Sequence, residues 1–390
     1  MGRPRVTVVL RHGLNPASWR SRHERGEVWD RTPYGYDLAE GTFDISWTSD
    51  HPEGAVARMW RLSVRRLLGF DLVHAWRNRR AIAEADAIWT HTELEHLAVA
   101  FLKMLAPHRY RGLSIAQSVW LWDGWPSIHP LRAALYRRLL RQHTVELVLS
   151  RSNHVASSTA APGRDVRRIP FGTHPAMPCT QRAETPVVLA NGNDRHRDWE
   201  LLAEVARRLP AVTFNVISFS DSVLARDWPS NAHARSALQT EVLGELYGKA
   251  SVVAIPLHEN LHASGCTVAI EAISAGVPIV VSDAGGIDEY TKDADATLVP
   301  VDDVDAFAAA IQAAILARTA ATVGADPTVA ERRGLTHRDY ISRLSLITLA
   351  ALAGTPADPR TEQFVSVADL AALAPAPEVD LGHPQRSSST

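Results

Sequence analysis

The sequence predicts an α/β protein of two doubly wound, Rossmann-like domains that face each other across a cleft. The chain has 390 residues, which is too many for one ordinary hydrophobic core. Strand-like and helical segments alternate in two series, separated by a loop-like stretch over residues 170–186. Such alternation is typical of parallel sheets that are covered by helices on both faces. Hydrophobic residues at 46% and charged residues at 22% fit a globular protein.

Composition argues against several other classes of protein. No apolar run reaches the ~18 to 20 residues that span a bilayer. The amino terminus leads directly into a strand-like run, so we expect no secretory signal and a cytoplasmic protein. The two cysteines, Cys179 and Cys266, neither build a disulfide framework nor have the spacing of a metal site. A secreted miniprotein, a zinc module and an integral membrane protein are therefore not expected.

The first predicted domain comprises residues 1–170. It opens with a short β-branched run at residues 6–10, which Gly13 and the loop after it bring to an end. The residues that follow predict strands at 86–90, 113–117, 146–149 and 166–169, and helices at 93–105 and 131–141. The irregular stretch 14–56, rich in Trp, Tyr, Gly and Pro, has no predicted placement.

The second predicted domain comprises residues 171–335, after a hinge near residues 170–186. Its pattern predicts strands at 186–190, 212–218, 251–255, 278–282 and 297–299, and helices at 197–209, 238–249, 265–275 and 304–317. Residues 336–353 are expected to form a last helix that packs back on the first domain. Residues 354–390 are rich in Pro, Ala and Ser and are predicted to be a disordered tail.

The most informative stretch is residues 256–290, PLHENLHASGCTVAIEAISAGVPIVVSDAGGIDEY. Ser264 and Gly265 stand where a helix begins, so free backbone N–H groups and the positive end of the helix dipole face the preceding loop. Such a helix end suits a phosphate or diphosphate. Glu271 follows Gly265 by about 9 Å along the helix axis, the distance at which a carboxylate would meet a ribose. A capping serine followed by an exposed glutamate is the plainer alternative.

That stretch, together with ELYGKASVVAIPL, VRRIPFGTHP, NGNDRHRDWELL and ATLVPVDDVDAFAAAIQAAI, resembles the retaining glycosyltransferase group 1 family, family four, which has the GT-B fold. The resemblance covers roughly residues 166–345 and extends to the amino-terminal half only in layout. It implies transfer of a sugar from a UDP- or GDP-linked donor to an acceptor hydroxyl, with retention of anomeric configuration. The expected setting is bacterial glycan, glycolipid or glycosylated metabolite biosynthesis.

The resemblance also implies roles for individual residues in donor binding. The helix start would contact the phosphates and the sugar, Glu271 the ribose, and a basic residue in the Gly192 loop the diphosphate, with Arg197 the better match and Arg195 the second. The residues implied at the helix start are Ser264, Gly265, Cys266 and Thr267. An arginine suits two phosphates because its planar fork can bind two oxygens at once.

From the first domain, the resemblance implies that Gly13 approaches the diphosphate and that His91 lies beneath the donor sugar. His91 and Arg197 are the residues expected to be catalytic, and His74 is the alternative to His91. No protein nucleophile, metal or other cofactor is implied, since in the family the leaving phosphate helps to deprotonate the acceptor. A structural hydrogen bond is the alternative role for a histidine that follows a strand.

The sequence departs from the family at one point. Family members carry two glutamates eight residues apart, and the position eight residues before Glu271 is Ala263. Glu259 or His262, in the same loop, are the candidates to replace the missing carboxylate. The substitution leaves the specificity for the donor sugar open.

The amino-terminal half is basic, with a net charge of +7 over residues 1–165 against −9 for the remainder. Arginine alternates with apolar residues at helical spacing over 58–70, 75–80 and 131–142. This pattern fits an interfacial helix at the inner face of the plasma membrane, a lipid-linked acceptor or an anionic soluble acceptor. Arginines that merely face water are the plainer alternative. Nucleic acid is not expected, since no recognised binding module is present.

Two further functions compete with sugar transfer on the same fold. One is a nucleotide-sugar epimerase or a phosphorylase, because the acceptor side is undefined. The other is an inactive GT-B partner that binds or activates another transferase, for which Ala263 is the best argument. The inactive-partner hypothesis is weakened by the presence of the expected diphosphate-site residues, because a scaffold does not need such a site. These residues are Arg197, Ser264, Gly265 and Glu271.

Overall fold

The computed structural model describes residues 2–174, 185–236, 239–320, 326 and 328–368, without the side chains of residues 318–320. Two six-stranded sheets form the molecule, and every strand pairing in these ranges is parallel. Each sheet is covered by helices. The α/β class and the two doubly wound units that the sequence predicts are confirmed.

The first sheet lies in residues 5–168, and its strands are Arg5–Val9 (β1), Asp44–Trp47 (β2), Ala87–Thr90 (β3), Leu113–Gln117 (β4), Val145–Val148 (β5) and Val166–Arg168 (β6). Their spatial order is β2-β1-β3-β4-β5-β6. The helices are Pro16–Glu24 (α1), Ala55–Leu68 (α2), Leu72–Arg77 (α3), Arg79–Glu84 (α4), Glu93–Leu105 (α5), Leu121–Gly124 (α6), Pro130–Leu140 (α7) and Arg151–Ala160 (α8). Short 3-10 helices cover Pro33–Ala39 and Trp125–Ser127.

The second sheet has the strands Val187–Asn191 (β7), Thr213–Ile217 (β8), Ala232–Arg235 (β9), Val252–Ile255 (β10), Ile279–Ser282 (β11) and Ala296–Val299 (β12). Their order is β12-β11-β10-β7-β8-β9. The helices are Trp199–Arg208 (α9), Asp221–Leu224 (α10), Thr240–Lys249 (α11), Cys266–Ala275 (α12), Ile287–Thr291 (α13), Val304–Ala320 (α14), Val329–Arg332 (α15) and His337–Leu352 (α16), and a 3-10 helix covers Pro359–Glu362.

Burial explains which strands the sequence pattern predicts. The inner strands β3, β10 and β11 are buried on both faces, so they are continuous apolar runs. The strands β2 and β9, which the pattern does not predict, lie at sheet edges and are partly exposed. Their sequences, DISW and AHAR, lack the β-branched runs by which an inner strand is found.

The chain crosses between the two domains twice, and the crossings lie side by side. The Thr173 N–H donates to the Leu335 carbonyl at 3.0 Å, and the His337 N–H donates to the Thr173 carbonyl at 3.1 Å. A Cβ at Gly172 would lie 2.0 Å from the Thr336 oxygen, so only glycine permits this approach. Helix α16 then packs on the first domain, where the Trp89 indole donates to the Thr348 hydroxyl at 2.9 Å.

The first part of the predicted tail differs from the disorder that its composition suggests. Residues 354–368 run along the protein surface, and Thr361 within the last 3-10 helix is fully buried. The Arg343 guanidinium, which is itself buried, donates to the Val365 carbonyl at 2.7 Å and so holds this segment. Residues 369–390 lie outside the described residues.

None of the helices within the described ranges combines the length with the low polarity that crossing a bilayer requires.

Candidate functional site

A cavity of about 500 Å³ lies between the domains, where the strands of both sheets end. The sequence-predicted residues that line it are His91, Gly192, Arg197, His262, Ser264, Gly265, Cys266, Thr267 and Glu271. Three predicted residues, Gly13, Arg195 and Glu259, are not among its lining residues. Ligands of open α/β sheets gather at the carboxyl ends of the strands, so this cavity is the candidate active site.

The start of helix α12 forms one wall of the cavity. Gly265 precedes the helix with φ of 87°, and a Cβ there would lie 2.7 Å from Ile255 Cγ2 and 2.9 Å from Arg197 Nη1. Only glycine therefore fits between strand β10 and the arginine. The Ser264 N–H donates to Asn260 Oδ1 at 3.1 Å, and the Ser264 hydroxyl is buried without a partner in the described residues.

Arg197 lies against this helix end and is the most distinctive feature of the cavity. Its backbone is fixed by a bridge to Leu257, and its side chain is only 5% exposed. The guanidinium packs against Gly192, where a Cβ would lie 2.3 Å from Nε. Neither Nε nor Nη1 has a hydrogen-bond partner among the described residues. Burial lowers the pKa of Arg197, and a buried cation of this kind is costly unless an anion joins it.

Glu271 faces the same cavity from one and a half turns further along α12. It accepts a hydrogen bond from the Tyr247 hydroxyl at 2.6 Å. Burial raises the pKa of Glu271 to about 7, although the Tyr247 hydrogen bond and the Arg197 charge act in the opposite direction. The carboxyl is therefore close to half-ionised at neutral pH, and a ligand hydroxyl that donates to it would favour the ionised form.

His262 lies between two carboxylates that come from different domains. Its Nδ1 lies 2.8 Å from Asp123 Oδ2 in the first domain, and its Nε2 lies 2.9 Å from Asp194 Oδ2 in the second. Burial alone would lower the pKa of His262, but the hydrogen bonds to both carboxylates raise it to about 9. His262 is therefore a cation at neutral pH that joins the two domains at the cavity.

Ala263, the position where the resemblance leads one to expect a carboxylate, lines the cavity, is 1% exposed and has φ of 53°. Glu259 is exposed to solvent and is not among the residues that line the cavity. The Asp194 carboxylate lines the cavity, but it accepts hydrogen bonds from His262, from the Trp120 indole at 3.3 Å and from the His196 N–H at 2.8 Å. Asp194, His196 and His262 are also close enough to hold a metal ion, as are the buried Asp198 and the exposed His258 and Asp302.

His91 forms part of the cavity wall that the first domain provides. Its Nδ1 is 2.9 Å from the Tyr36 hydroxyl, and the Tyr34 ring stacks on it with centroids 3.5 Å apart. Burial lowers the pKa of His91 to about 3, so the ring is neutral. His74, the alternative to His91, is outside the cavity lining and donates to the Leu10 carbonyl at 3.1 Å.

Sequence reasoning missed the other first-domain residues at the cavity. Arg11 lines it instead of Gly13, whose N–H donates to the Asp50 carboxylate at 3.1 Å. Tyr34 lies in the unplaced stretch 14–56, and its φ of 61° cannot be foreseen from the residue type. The position of Arg11 two residues after the end of strand β1 was the available signal.

Comparison with known proteins agrees with this geometry. Residues 188–316, about a third of the chain, match the model of a family described as glycosyl transferases group 1. Sucrose-phosphate synthase from Thermosynechococcus elongatus has a similar structure at 17% identity and TM-score 0.60, over 81% of this chain and 90% of that one. Anabaena HepE in complex with UDP-glucose is similar at 13% identity and TM-score 0.61, over 89% and 99%.

These neighbours confirm the GT-B fold, and the family match over the second sheet supports a glycosyltransferase. No curated protein matches the chain in sequence.

Proposed function

We propose that the protein is a glycosyltransferase that moves a sugar from a nucleoside diphosphate sugar to an acceptor hydroxyl with retention of anomeric configuration. The proposal includes UDP- and GDP-linked donors, and a bacterial glycan, glycolipid or glycosylated metabolite is the proposed product class. HepE, which was solved with UDP-glucose, makes the UDP sugars the first donors to test.

The observation that carries this proposal is the buried guanidinium of Arg197 beside the start of α12, two of whose nitrogens have no partner among the described residues. Two nitrogens of Arg197 and the hydroxyl of Ser264 are buried at the same place without partners in the described chain. The positive end of the α12 dipole adds to the same field. A diphosphate supplies the negative charge and the several acceptor oxygens that this arrangement lacks.

The same groups explain how the site would promote transfer. Negative charge builds on the diphosphate as the bond to the sugar breaks, and donors fixed in advance stabilise that charge. One such donor is worth roughly 3 to 4 kcal/mol of barrier. Glu271 would bind the ribose. His91 and Tyr34 would lie beneath the sugar, where a neutral imidazole donates or accepts a hydrogen bond without adding charge.

Retention would follow from attack of the acceptor on the face that the diphosphate leaves. In this proposal the acceptor hydroxyl loses its proton to the departing phosphate, so no protein nucleophile takes part. No resident metal is required, because Arg197 and the helix end already supply positive charge. Addition of a chelator is expected to leave the transfer rate unchanged.

Nucleotide binding tests the proposal directly. We expect UDP or GDP to raise the melting temperature, since saturation at 100 times the dissociation constant adds ~2.7 kcal/mol to the free energy of unfolding. The Arg197→Ala variant should lose this response, whereas Arg207→Ala, which changes an exposed arginine on α9, should keep it. A full response in Arg197→Ala, or none in the wild type with any nucleotide, would contradict the proposed donor site. NMR of the product's anomeric proton then tests retention.

A further inference from the structure

Helix α2 buries an arginine and exposes most of its large apolar side chains. Arg61 is the only buried residue of this 14-residue helix. Five large apolar residues face solvent instead: the exposed fractions are 75% for Val56, 64% for Met59, 62% for Trp60, 42% for Leu62 and 73% for Leu67. Their spacing places the four most exposed, Val56, Met59, Trp60 and Leu67, on one side of the helix, opposite Arg61. A helix that only covers a sheet would have the opposite arrangement.

The buried side of α2 is held by ion pairs. Arg61 donates to Glu53 at 2.9 Å and to Asp71 at 2.6 Å, and all three side chains are almost fully buried. The exposed apolar side is therefore not a consequence of a loosely attached helix. Because Arg61 is held on the inner side of α2, the side of the helix that contains Trp60 is turned towards solvent.

The apolar stripe continues onto the neighbouring helix α7. Arg132 of α7 donates to the Leu67 carbonyl at 2.8 Å, and the Tyr136 hydroxyl donates to the Leu68 carbonyl at 2.8 Å. Leu131, beside Arg132, is 78% exposed. We call these exposed apolar residues the α2 face: Val56, Met59, Trp60 and Leu67 of α2, with Leu131 next to the α7 residue that contacts the end of α2. Clusters of this kind mark interaction sites on soluble proteins.

The charged side chains of helix α2 itself are all positive. Arg58 and Arg66 are exposed on it. Asp71 is the one acidic residue between positions 54 and 83, and it is buried against Arg61, as is Glu53. Two copies of this face would bring arginine against arginine, so self-association is disfavoured. An apolar stripe flanked by exposed arginine is complementary to a surface with an apolar interior and anionic headgroups.

We infer that the α2 face docks on an anionic lipid bilayer, with Met59, Trp60 and Leu67 in the headgroup layer and Arg58 and Arg66 against lipid phosphates. Glu53, which pairs with Arg61 of α2, connects this face with the cavity. The Glu53 carboxylate Oε2 lies 3.9 Å from His12 Nε2, and Arg11, next to His12 in the chain, lines the cavity. If the proposed sugar transfer is correct, the acceptor hydroxyl belongs to an amphiphile in that bilayer. The docking itself does not depend on the transfer activity.

Vesicle binding tests the inference. We expect the full-length protein to sediment with vesicles of phosphatidylcholine containing phosphatidylglycerol, and to bind pure phosphatidylcholine at least ~10-fold more weakly. The triple variant Met59→Ser, Trp60→Ser, Leu67→Ser should reduce binding to the mixed vesicles by about 10-fold or more. Arg58→Glu with Arg66→Glu should act similarly, and binding should weaken with added salt.

The matched control changes exposed apolar residues of the other domain, Phe219→Ser with Leu316→Ser, which are 53% and 69% exposed. This variant should bind vesicles as the wild type does. Equal loss in the control, equal binding to neutral vesicles, or no vesicle binding would each overturn the inference. So would a lower molecular mass of the triple variant in vesicle-free solution, since it would assign the face to a second copy of the chain. Nucleotide-induced melting shifts should be unchanged in all variants, which separates this test from that of the donor site.

Discussion

Arg61 and Arg197 are both buried, but their surroundings differ completely. Arg61, in the first domain, is enclosed by the carboxylates of Glu53 and Asp71. Arg197, in the second, lies between two glycines and a helix start, and two of its nitrogens have no partner in the described residues. A paired buried arginine holds a structure together, whereas one with unpartnered nitrogens indicates a site that suits an anion. A buried charged side chain therefore indicates a ligand site only when the side chains around it do not already supply its ion-pair and hydrogen-bond partners.

The largest expected effect is on stability at the paired arginine. Arg61→Ala should lower the free energy of unfolding by about 3 to 5 kcal/mol, because Asp71 would stay buried without a cation and Glu53 would keep only Arg77 as its close arginine partner. Urea unfolding measures it, with Arg65→Ala on the same helix as the control. A loss below about 1 kcal/mol would remove the contrast with Arg197.

At the unpaired arginine, the effect should appear in activity and not in stability. Arg197→Ala should lower the rate of sugar transfer by about 10²- to 10³-fold, since a donor to the leaving diphosphate is lost. Its melting temperature without nucleotide should be unchanged or higher, because a desolvated charge is removed. A clearly lower melting temperature would mean that Arg197 is structural, like Arg61.

His262 is a third buried cation, and its pairing predicts a pH dependence. Its folded pKa of about 9 lies above the ordinary value of 6.5, so the stabilisation is complete below pH 6.5 and is lost as pH rises through 9. The loss is at most roughly 3 kcal/mol. Unfolding free energies between pH 6.5 and 9.5 measure it, and His262→Gln should remove most of the slope. An unchanged slope in that variant would show that other groups titrate.

Gly265 tests whether the space around Arg197 is required. Gly265→Ala places a methyl group 2.9 Å from Arg197 Nη1, so it should weaken nucleotide binding as well as lower stability by about 1 to 3 kcal/mol. Gly163 also has positive φ, 79°, but open space around it. Gly163→Ala should therefore lower stability without changing nucleotide affinity. Calorimetric titration with the nucleotide distinguishes the two.

The smallest effect concerns Glu271. Because its pKa is about 7 before a ligand binds, ribose hydroxyls that donate to it should release a fraction of a proton at neutral pH. Affinity should rise as the pH is raised towards 8. Calorimetry in two buffers of different ionisation enthalpy measures the proton release, and Glu271→Gln provides the baseline for titration of the phosphate itself. Equal proton release in both proteins would place the ribose elsewhere.

The parts of the molecule that the sequence predicts are those fixed by local patterns. The fully apolar inner strands and the Ser264–Glu271 spacing along one helix depend on neighbours in the chain, so they can be identified there. The pairing of His262 with Asp123 joins residues 139 positions apart across two domains, and no local periodicity encodes it. Tyr34 needs a left-handed backbone in an irregular segment, which is equally hidden. The positive charge of Arg197 and its place in the Gly192 loop could be predicted from the sequence. That two of its guanidinium nitrogens have no hydrogen-bond partner among the described residues could not.

The two neighbouring domain crossings have a mechanical consequence. Because Thr173 and Thr336 are bridged side by side, both covalent links pass through one narrow line of the molecule. Twisting or sliding of one domain against the other would stretch one link or break the bridge, whereas rotation about that line disturbs neither. Opening of the cleft about that line would separate His262 from Asp123, so this ion pair opposes the one rotation that the crossings permit. Each closure would bring the wall containing His91 back to the same position over Arg197.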